Sequence, residues 1–346
     1  MNIATPLVKR TIKDFTSDQE VRWCPGCGDY AILKAVQKTL VDIGADPDRT
    51  VFVSGIGCAA RFPYYVSTYG FHTIHGRAPA FATGIKLSNP ALDVWLVTGD
   101  GDALSIGGNH LVHVLRRNVD MQILLFNNEI YGLTKGQYSP TTQKGTRTPS
   151  SPQGSVDAPL SATQLALGAG ARFVARGIDR LQKDLPGILA RAHAHKGASF
   201  VEIYQNCIIY NDGVFEELTE KGTGEDHRIL LEHGKPMIFG RNRDKGLVLN
   251  HDTLSLEVVG LSEGQGTDHL LVHDETNKTM ATMLAAMEGP DMPVALGVLY
   301  CNPDASYEQE VAARENHDPV SAESLNEMLR SGRCWTVGKE GTGGHG

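Results

Sequence analysis

The sequence predicts an α/β fold, a mainly parallel sheet with helices on both faces, followed by an acidic C-terminal extension. Three observations carry that prediction. Short aliphatic and β-branched runs alternate with segments of helical period from residue 30 to residue 204, which is the pattern of βαβ units. Glycines and small polar residues punctuate the ends of those runs. The charge balance also reverses partway along: residues 1–211 carry 21 Lys and Arg against 16 Asp and Glu, and residues 212–346 carry 11 against 24. That step divides the chain at Asn211–Asp212 into an α/β domain, 1–211, and an extension, 212–346, which ends in a mobile Gly-rich tail.

The elements follow in order. Ile32, Leu33, Val36, Leu40 and Ile43 recur at helical spacing and predict a helix over 30–43, with Gly44 as its stop. Residues 50–54 read as a short strand closed by Gly55, 77–87 as helix, and 93–98 as a buried strand. A helix over 104–117 leads to a strand at 121–126, and a polar loop occupies 136–159. Helix 162–171, strand 172–175, helix 181–194 and strand 199–204 complete the alternation. Right-handed crossovers bring the C-terminal ends of such strands to one edge, where ligands of these sheets bind.

Composition narrows the function classes. No apolar run approaches the ~20 residues a bilayer demands, and residues 1–20 hold no secretory h-region. The length is ample for a core without a disulfide framework. No dense basic stripe points to nucleic acid. The expectation is a cytoplasmic globular protein whose six cysteines, in a reducing compartment, serve as metal ligands or redox groups rather than bridges.

Two constellations carry chemistry. Gly99-Asp100-Gly101 follows one predicted strand, and Asn127-Asn128 follows the next, with Asp100 and Asn128 28 positions apart. One helix and one strand fill that interval, so both side chains return to the same edge. A carboxylate, an amide oxygen and nearby carbonyls suit Mg²⁺, which shares phosphate oxygens readily. The glycines admit a diphosphate close to the backbone, toward which the helix near Leu104 turns its positive end. The pair matches the diphosphate and Mg²⁺ motif of thiamine diphosphate enzymes.

The second constellation is Trp23-Cys24-Pro25-Gly26-Cys27-Gly28-Asp29. A lone C-x-x-C is a redox pair, half a zinc site or part of an iron–sulfur site. Cys58, past one predicted strand, and Cys207, past the last, project from the edge that holds Asp100 and Asn128. Four thiolates accept zinc or an iron–sulfur cluster on coordination chemistry alone. Adjacency to a cofactor that makes electron-rich intermediates favours the cluster. Cys301 and Cys334 are expected to be ordinary thiols.

With Ser54-Gly-Ile-Gly-Cys58, His75-Gly-Arg-Ala78 and Tyr131-Gly-Leu-Thr-Lys-Gly-Gln137 added, these residues resemble the beta subunits of the 2-oxoacid:ferredoxin oxidoreductases, of the 2-oxoglutarate type. The likeness spans roughly 20–211 and is loose beyond it. It implies the diphosphate-type thiamine diphosphate fold, one [4Fe–4S] cluster on Cys24, Cys27, Cys58 and Cys207, and Mg²⁺ on Asp100, Asn128 and the main-chain oxygen of Ile130. It implies a cofactor pocket taking in Gly57, His75, Gly76, Arg77, Gly99, Asp100, Gly101, Asp102, Asn128, Leu133 and Thr134. It implies a separate alpha subunit carrying the pyrimidine-binding domain, in an alpha2beta2 heterotetramer, without which this chain is inactive. The implied reaction is oxidative decarboxylation of 2-oxoglutarate to succinyl-CoA and CO2, with coenzyme A as co-substrate and ferredoxin as electron acceptor, reversible toward CO2 fixation.

Lys135 lies just beyond the Mg²⁺ loop, where an ammonium can pair with the distal carboxylate of 2-oxoglutarate; the alternative is an exposed loop lysine. Thr134 beside it carries a hydroxyl in the same loop. Arg77 opens a helix from a glycine turn and reads equally as a diphosphate contact or a surface arginine, and His75 as a phosphate donor or a structural histidine. Trp23 and Phe62 are read as a hydrophobic shield for the cluster or as plain core, and Lys86 as a helix-surface charge. Two rival readings remain at this stage: a thiamine-dependent decarboxylase or acyl-transfer subunit with structural zinc, and a non-enzymatic scaffold in which four cysteines hold zinc.

Overall fold

A computed structural model describes residues 10–262, 266–287, 289–314, 320–332 and 335. Cys334 and the Gly-rich tail lie outside the described residues.

Strands form where the sequence places unbroken β-branched and aliphatic runs. They are β1 (Thr50–Ser54), β2 (Tyr69–His72), β3 (Asp93–Gly99), β4 (Met121–Asn127), β5 (Ile130–Tyr131), β6 (Gln137–Tyr138), β7 (Phe173–Ile178) and β8 (Ala198–Tyr204). Beyond Asp212 come β9 (Arg228–Leu230), β10 (Ile238–Phe239), β11 (Lys245–Asn250), β12 (Ser255–Gly260) and β13 (Val294–Cys301). The main sheet has the order β2-β1-β3-β4-β8-β7-β13-β9. Its pairs are parallel from β2 through to β7, and β13 alone runs antiparallel to its neighbour β7. Strands β10, β11 and β12 make a separate antiparallel sheet.

Alternation along each central strand divides the core between two faces. Val94 and Leu96 of β3 and Ile123 and Leu125 of β4 point one way, and pack with α2 (Ala78–Ser88), α4 (Gly108–Arg117), α5 (Ala162–Gly168) and α8 (Lys278–Ala285). Trp95, Val97, Leu124 and Phe126 point the other way, onto α1 (Asp29–Asp42) and α6 (Leu185–Ala194). Helix α1 ends where Gly44 takes φ +68°, a backbone shape that costs glycine little. The Ser161 hydroxyl caps α5 by accepting from Gln164 N at 3.4 Å.

Several expectations need correction. The helix expected over 104–117 is two, α3 (Asp100–Leu104) and α4, parted at Gly107; a Cβ there would sit 2.4 Å from the Asp102 carbonyl oxygen. Strand β2 was not foreseen. Lys86 is buried rather than a surface charge: its ammonium pairs with Asp120 at 2.9 Å and donates to Leu92 O at 2.8 Å. The charge step is not a structural divide. The described residues up to Glu310 form one compact unit, because β13 and β9 extend the main sheet and α8 covers one of its faces. A short α7 (Gly224–His227) precedes β9. The described residues from Val311 on belong to a second unit, with a helix at Ala322–Arg330. None of the described helices is long and apolar enough to cross a membrane.

Candidate functional site

Four adjacent parallel strands, β1, β3, β4 and β8, end on one edge. Their ends deliver Gly55–Cys58, Asp100–Asp102, Asn127–Ile130 and Gln205–Cys207 to a common rim. A cavity of about 180 Å³ opens there, lined by Asp29, Gly57, Cys58, His75, Gly99, Asp100, Gly101, Asp102, Asn128, Ile130, Leu133 and Thr134 among others.

Asp100 is held by hydroxyls. Its Oδ2 accepts from Ser139 at 2.6 Å and Thr141 at 2.7 Å. Burial pushes its carboxyl up to about 6, against those two bonds, so a cation there would be welcome. Asn128 donates through Nδ2 to Gln205 Oε1 at 2.8 Å, while its own Oδ1 receives Ile130 N at 3.2 Å. Between them Glu129 takes φ +56°, the left-handed turn that sets Ile130 back against the pocket. Tyr131 donates to Gly101 O at 2.9 Å.

Asp102 also braces the pocket from within. Its carboxylate accepts from Ile56 N at 3.1 Å, Gly76 N at 2.7 Å and Thr98 Oγ1 at 2.7 Å, and meets His75 Nδ1 at 2.5 Å. It ties the two glycine turns to β3 while lining the cavity. The fit leaves no room for side chains: a Cβ on Gly55 would lie 1.8 Å from Asp102 Oδ2, and one on Gly76, at φ +71°, would lie 2.6 Å from Gly107 N. Arg77 does not line this cavity; its guanidinium meets His110 Nε2 on α4.

A second cavity of about 260 Å³ adjoins the first, lined by Cys24, Cys27, Cys58 and Cys207 together with Trp23, Arg61, Lys135 and Gln205. Cys58, Asn128, Gly132 and Leu133 face both cavities. A Cβ on Gly132 would stand 3.5 Å from Cys207 Sγ and 3.7 Å from Cys58 Sγ. All four thiols are free. Cys24 is exposed and Cys207 buried. Burial pushes the Cys58 thiol up to about 12 and drives that of Cys27 higher still, with nearby Asp29 adding to both. Trp23 is buried and donates Nε1–H to Cys58 O at 2.8 Å, with Phe62 and Tyr65 packed against its ring. Among the described residues, no group of three or more His, Cys, Asp and Glu side chains is arranged to hold a single metal ion.

Lys135 stands on the thiol side, exposed and at φ +79°, while its neighbours Leu133 and Thr134 face the first cavity. The Thr134 hydroxyl bonds Gln137 Oε1. Sequence reasoning missed the hydroxyls of Ser139 and Thr141, which sit in the polar loop with no motif to mark them. It also passed over Asp29 as a functional group: the carboxyl is buried, pushed up to about 7 by burial, and its Oδ2 has no hydrogen-bond partner beside the first cavity.

Known proteins resemble this chain over most of its length. The thiamine pyrophosphate enzyme C-terminal TPP-binding domain matches residues 55–203. The 2-oxoglutarate oxidoreductase subunit KorB of Mycobacterium tuberculosis is 49% identical over 94% of this chain and 88% of its own. That likeness runs well past residue 211, further than the motifs alone imply. The 2-oxoglutarate synthase subunit KorB of Methanothermobacter thermautotrophicus is 44% identical over 54% of this chain and 66% of that protein. A solved structure, 2-oxoglutarate:ferredoxin oxidoreductase from Magnetococcus marinus with 2-oxoglutarate, coenzyme A and succinyl-CoA bound, matches with a TM-score of 0.74 and 30% identity, covering 93% of this chain and 97% of that one.

Proposed function

The chain belongs to the beta-subunit family of the 2-oxoacid:ferredoxin oxidoreductases, and on that premise we propose how it works: as the beta subunit of an enzyme that oxidatively decarboxylates 2-oxoglutarate and passes the electrons to ferredoxin. The observation that carries this reading is the shared wall, in which Cys58, Asn128, Gly132 and Leu133 belong at once to the cofactor pocket and the thiol cavity.

Asp100, Asn128 and the Ile130 carbonyl would hold Mg²⁺, and with it the diphosphate, above the Gly99–Gly101 turn. The donor set fits: two oxygens on a buried carboxyl that burial alone leaves reluctant to ionise, and an amide whose nitrogen is already engaged. When bound, thiamine diphosphate supplies a carbon nucleophile and a cationic ring that takes up the electrons left by CO2. The chain's own groups orient and exclude water. Asp102 fixes the turns on either side of the pocket, and Tyr131 and Leu133 line it.

Cys24, Cys27, Cys58 and Cys207 would carry one [4Fe–4S] cluster. A zinc ion needs its sulfurs drawn within ~2.3 Å of one point, whereas these four line, together with other residues, a cavity of about 260 Å³, room for a polynuclear group. Positive iron is what thiols raised by burial require to ionise. Trp23 and its aromatic neighbours keep water from the buried side. Coenzyme A as co-substrate, an alpha subunit supplying the pyrimidine site, an alpha2beta2 assembly and a cytoplasmic location complete the proposal.

Anaerobic purification with the alpha subunit tests it: a brown protein with about four iron and four sulfide per chain, thiamine diphosphate and 2-oxoglutarate-dependent ferredoxin reduction are expected. Zinc in place of iron would falsify the cluster assignment. For substrate choice, Lys135→Ala should lower kcat/KM for 2-oxoglutarate ~10–100-fold more than for 2-oxobutyrate, the worth of one charge-assisted contact. Equal losses for the two substrates would remove Lys135 from recognition.

A further inference from the structure

Gln205 is buried, follows β8 directly, and belongs to no motif. Its side chain reaches both halves of the site. Oε1 accepts from Asn128 Nδ2 at 2.8 Å, and Nε2 donates to Cys27 Sγ at 3.2 Å and to Asn206 O at 2.7 Å. Its main-chain N–H adds a bond to Asn127 O at 2.9 Å. The amide can point only one way. A peptide carbonyl and a sulfur both accept, so the NH2 group must face them and the oxygen must face Asn128. Asn128 is thereby turned so that its nitrogen is engaged by Gln205, and its oxygen, which also receives Ile130 N, is the atom available to a cation.

We propose that Gln205 is a positioning residue that serves both centres at once, orienting the Asn128 amide toward the cation and setting the reduction potential of the cluster through its hydrogen bond to Cys27. This rests on the cluster and Mg²⁺ assignments above. The physical ground is the same at each end. An N–H aimed at a cluster sulfur stabilises the more negative, reduced state and raises the potential. A partner on the far side of a metal ligand fixes that ligand's orientation, and its removal typically costs ~10–100-fold in metal affinity. Because one amide does both, replacing it moves two quantities that otherwise have no reason to move together.

Two variants separate these roles in the assembled enzyme. Gln205→Met fills the space and removes both bonds. It should lower the cluster midpoint, read by EPR-monitored titration, by roughly tenfold in the one-electron equilibrium, ~59 mV, and weaken Mg²⁺-dependent thiamine diphosphate binding ~10–100-fold. Gln205→Glu, at a pH where its carboxyl is ionised, keeps an acceptor for Asn128 but has no hydrogen for sulfur. It should lower the midpoint at least as far while retaining cofactor affinity close to that of the parent. A parent midpoint in both variants, with iron content intact, overturns the proposal, as does loss of the cluster from both, which would assign Gln205 to cluster retention instead. Absence of iron from the parent enzyme is a different result, and refutes the cluster reading itself.

Discussion

The two cavities on the rim share a wall yet are built on opposite plans. On the cofactor side the chain satisfies most of its own polar groups, Asp29 Oδ2 apart. Asp102 is saturated by Ile56, Gly76, Thr98 and His75, and Asp100 already holds two hydroxyls. On the thiol side burial leaves Cys27 and Cys58 resisting ionisation, and the balancing positive charge must arrive with the ligand. The first cavity is therefore preorganised, while the second is completed by what binds it. A pocket of the first kind fails when an inner support is removed; one of the second kind fails when a ligating atom is removed.

The sharpest test takes the exposed ligand. Cys24→Ser touches little of the core, yet it should strip the protein of iron and its visible absorbance while thiamine diphosphate affinity is unchanged. Loss of both together would break the distinction between the cavities. Next comes the inner support. Asp102→Ala leaves the main-chain donors of Gly76, buried, and Ile56, part-buried, unpaired and weakens the hold on the Thr98 hydroxyl, at about 1–3 kcal/mol for each buried donor. The expected result is thermal destabilisation of ~3 kcal/mol or more with cofactor binding weakened ~100-fold. Iron bound by the four thiols should survive wherever the protein stays folded. A smaller effect follows from sterics. A Cβ on Gly101 would stand 2.1 Å from Tyr131 Cε1, so Gly101→Ala should cost about 1–3 kcal/mol and tilt Tyr131 out of the pocket wall, seen as weaker cofactor binding with an unaltered cluster spectrum.

The last test lies away from both cavities and serves as their control. His195 is buried against Phe173, and burial pulls its imidazole down to about 4. The unfolded chain takes up that proton near 6.5, and the folded chain refuses it until about 4. Stability should therefore be full above pH 6.5 and decline as pH falls toward 4. His195→Phe should flatten that part of a denaturation profile; a slope that persists would place the titration elsewhere.

Much of the site was legible because its chemistry sits in glycine-flanked motifs at strand ends. Gly99–Gly101, Asn127-Asn128 and the scattered cysteines needed only the alternation of strand and helix to be brought together. What escaped were residues whose role comes from three-dimensional company. Ser139 and Thr141 lie in an irregular loop, and Gln205 is a lone amide. Arg77 reads equally as a diphosphate contact or a surface arginine because a glycine turn before a helix suggests anion binding, and its side chain leans toward His110. Lys86 reads as solvated because lysine usually is, and only the turn that carries Asp120 gives it a buried partner. The domain boundary misled for a related reason: charge reports what a segment shows to water, not which strands it lends to a sheet.

That last point bears on how the molecule can be cut. Strand β13 returns from beyond residue 290 to lie against β7, which otherwise would be the bare flank of the sheet. A chain trimmed where its charge reverses would expose a row of unmet peptide groups along an apolar ribbon, open to stitching onto any neighbour of the same kind. The acidic segment thus lends the sheet the strand that covers its β7 edge, a selvage sewn on from outside the charge-balanced part of the chain.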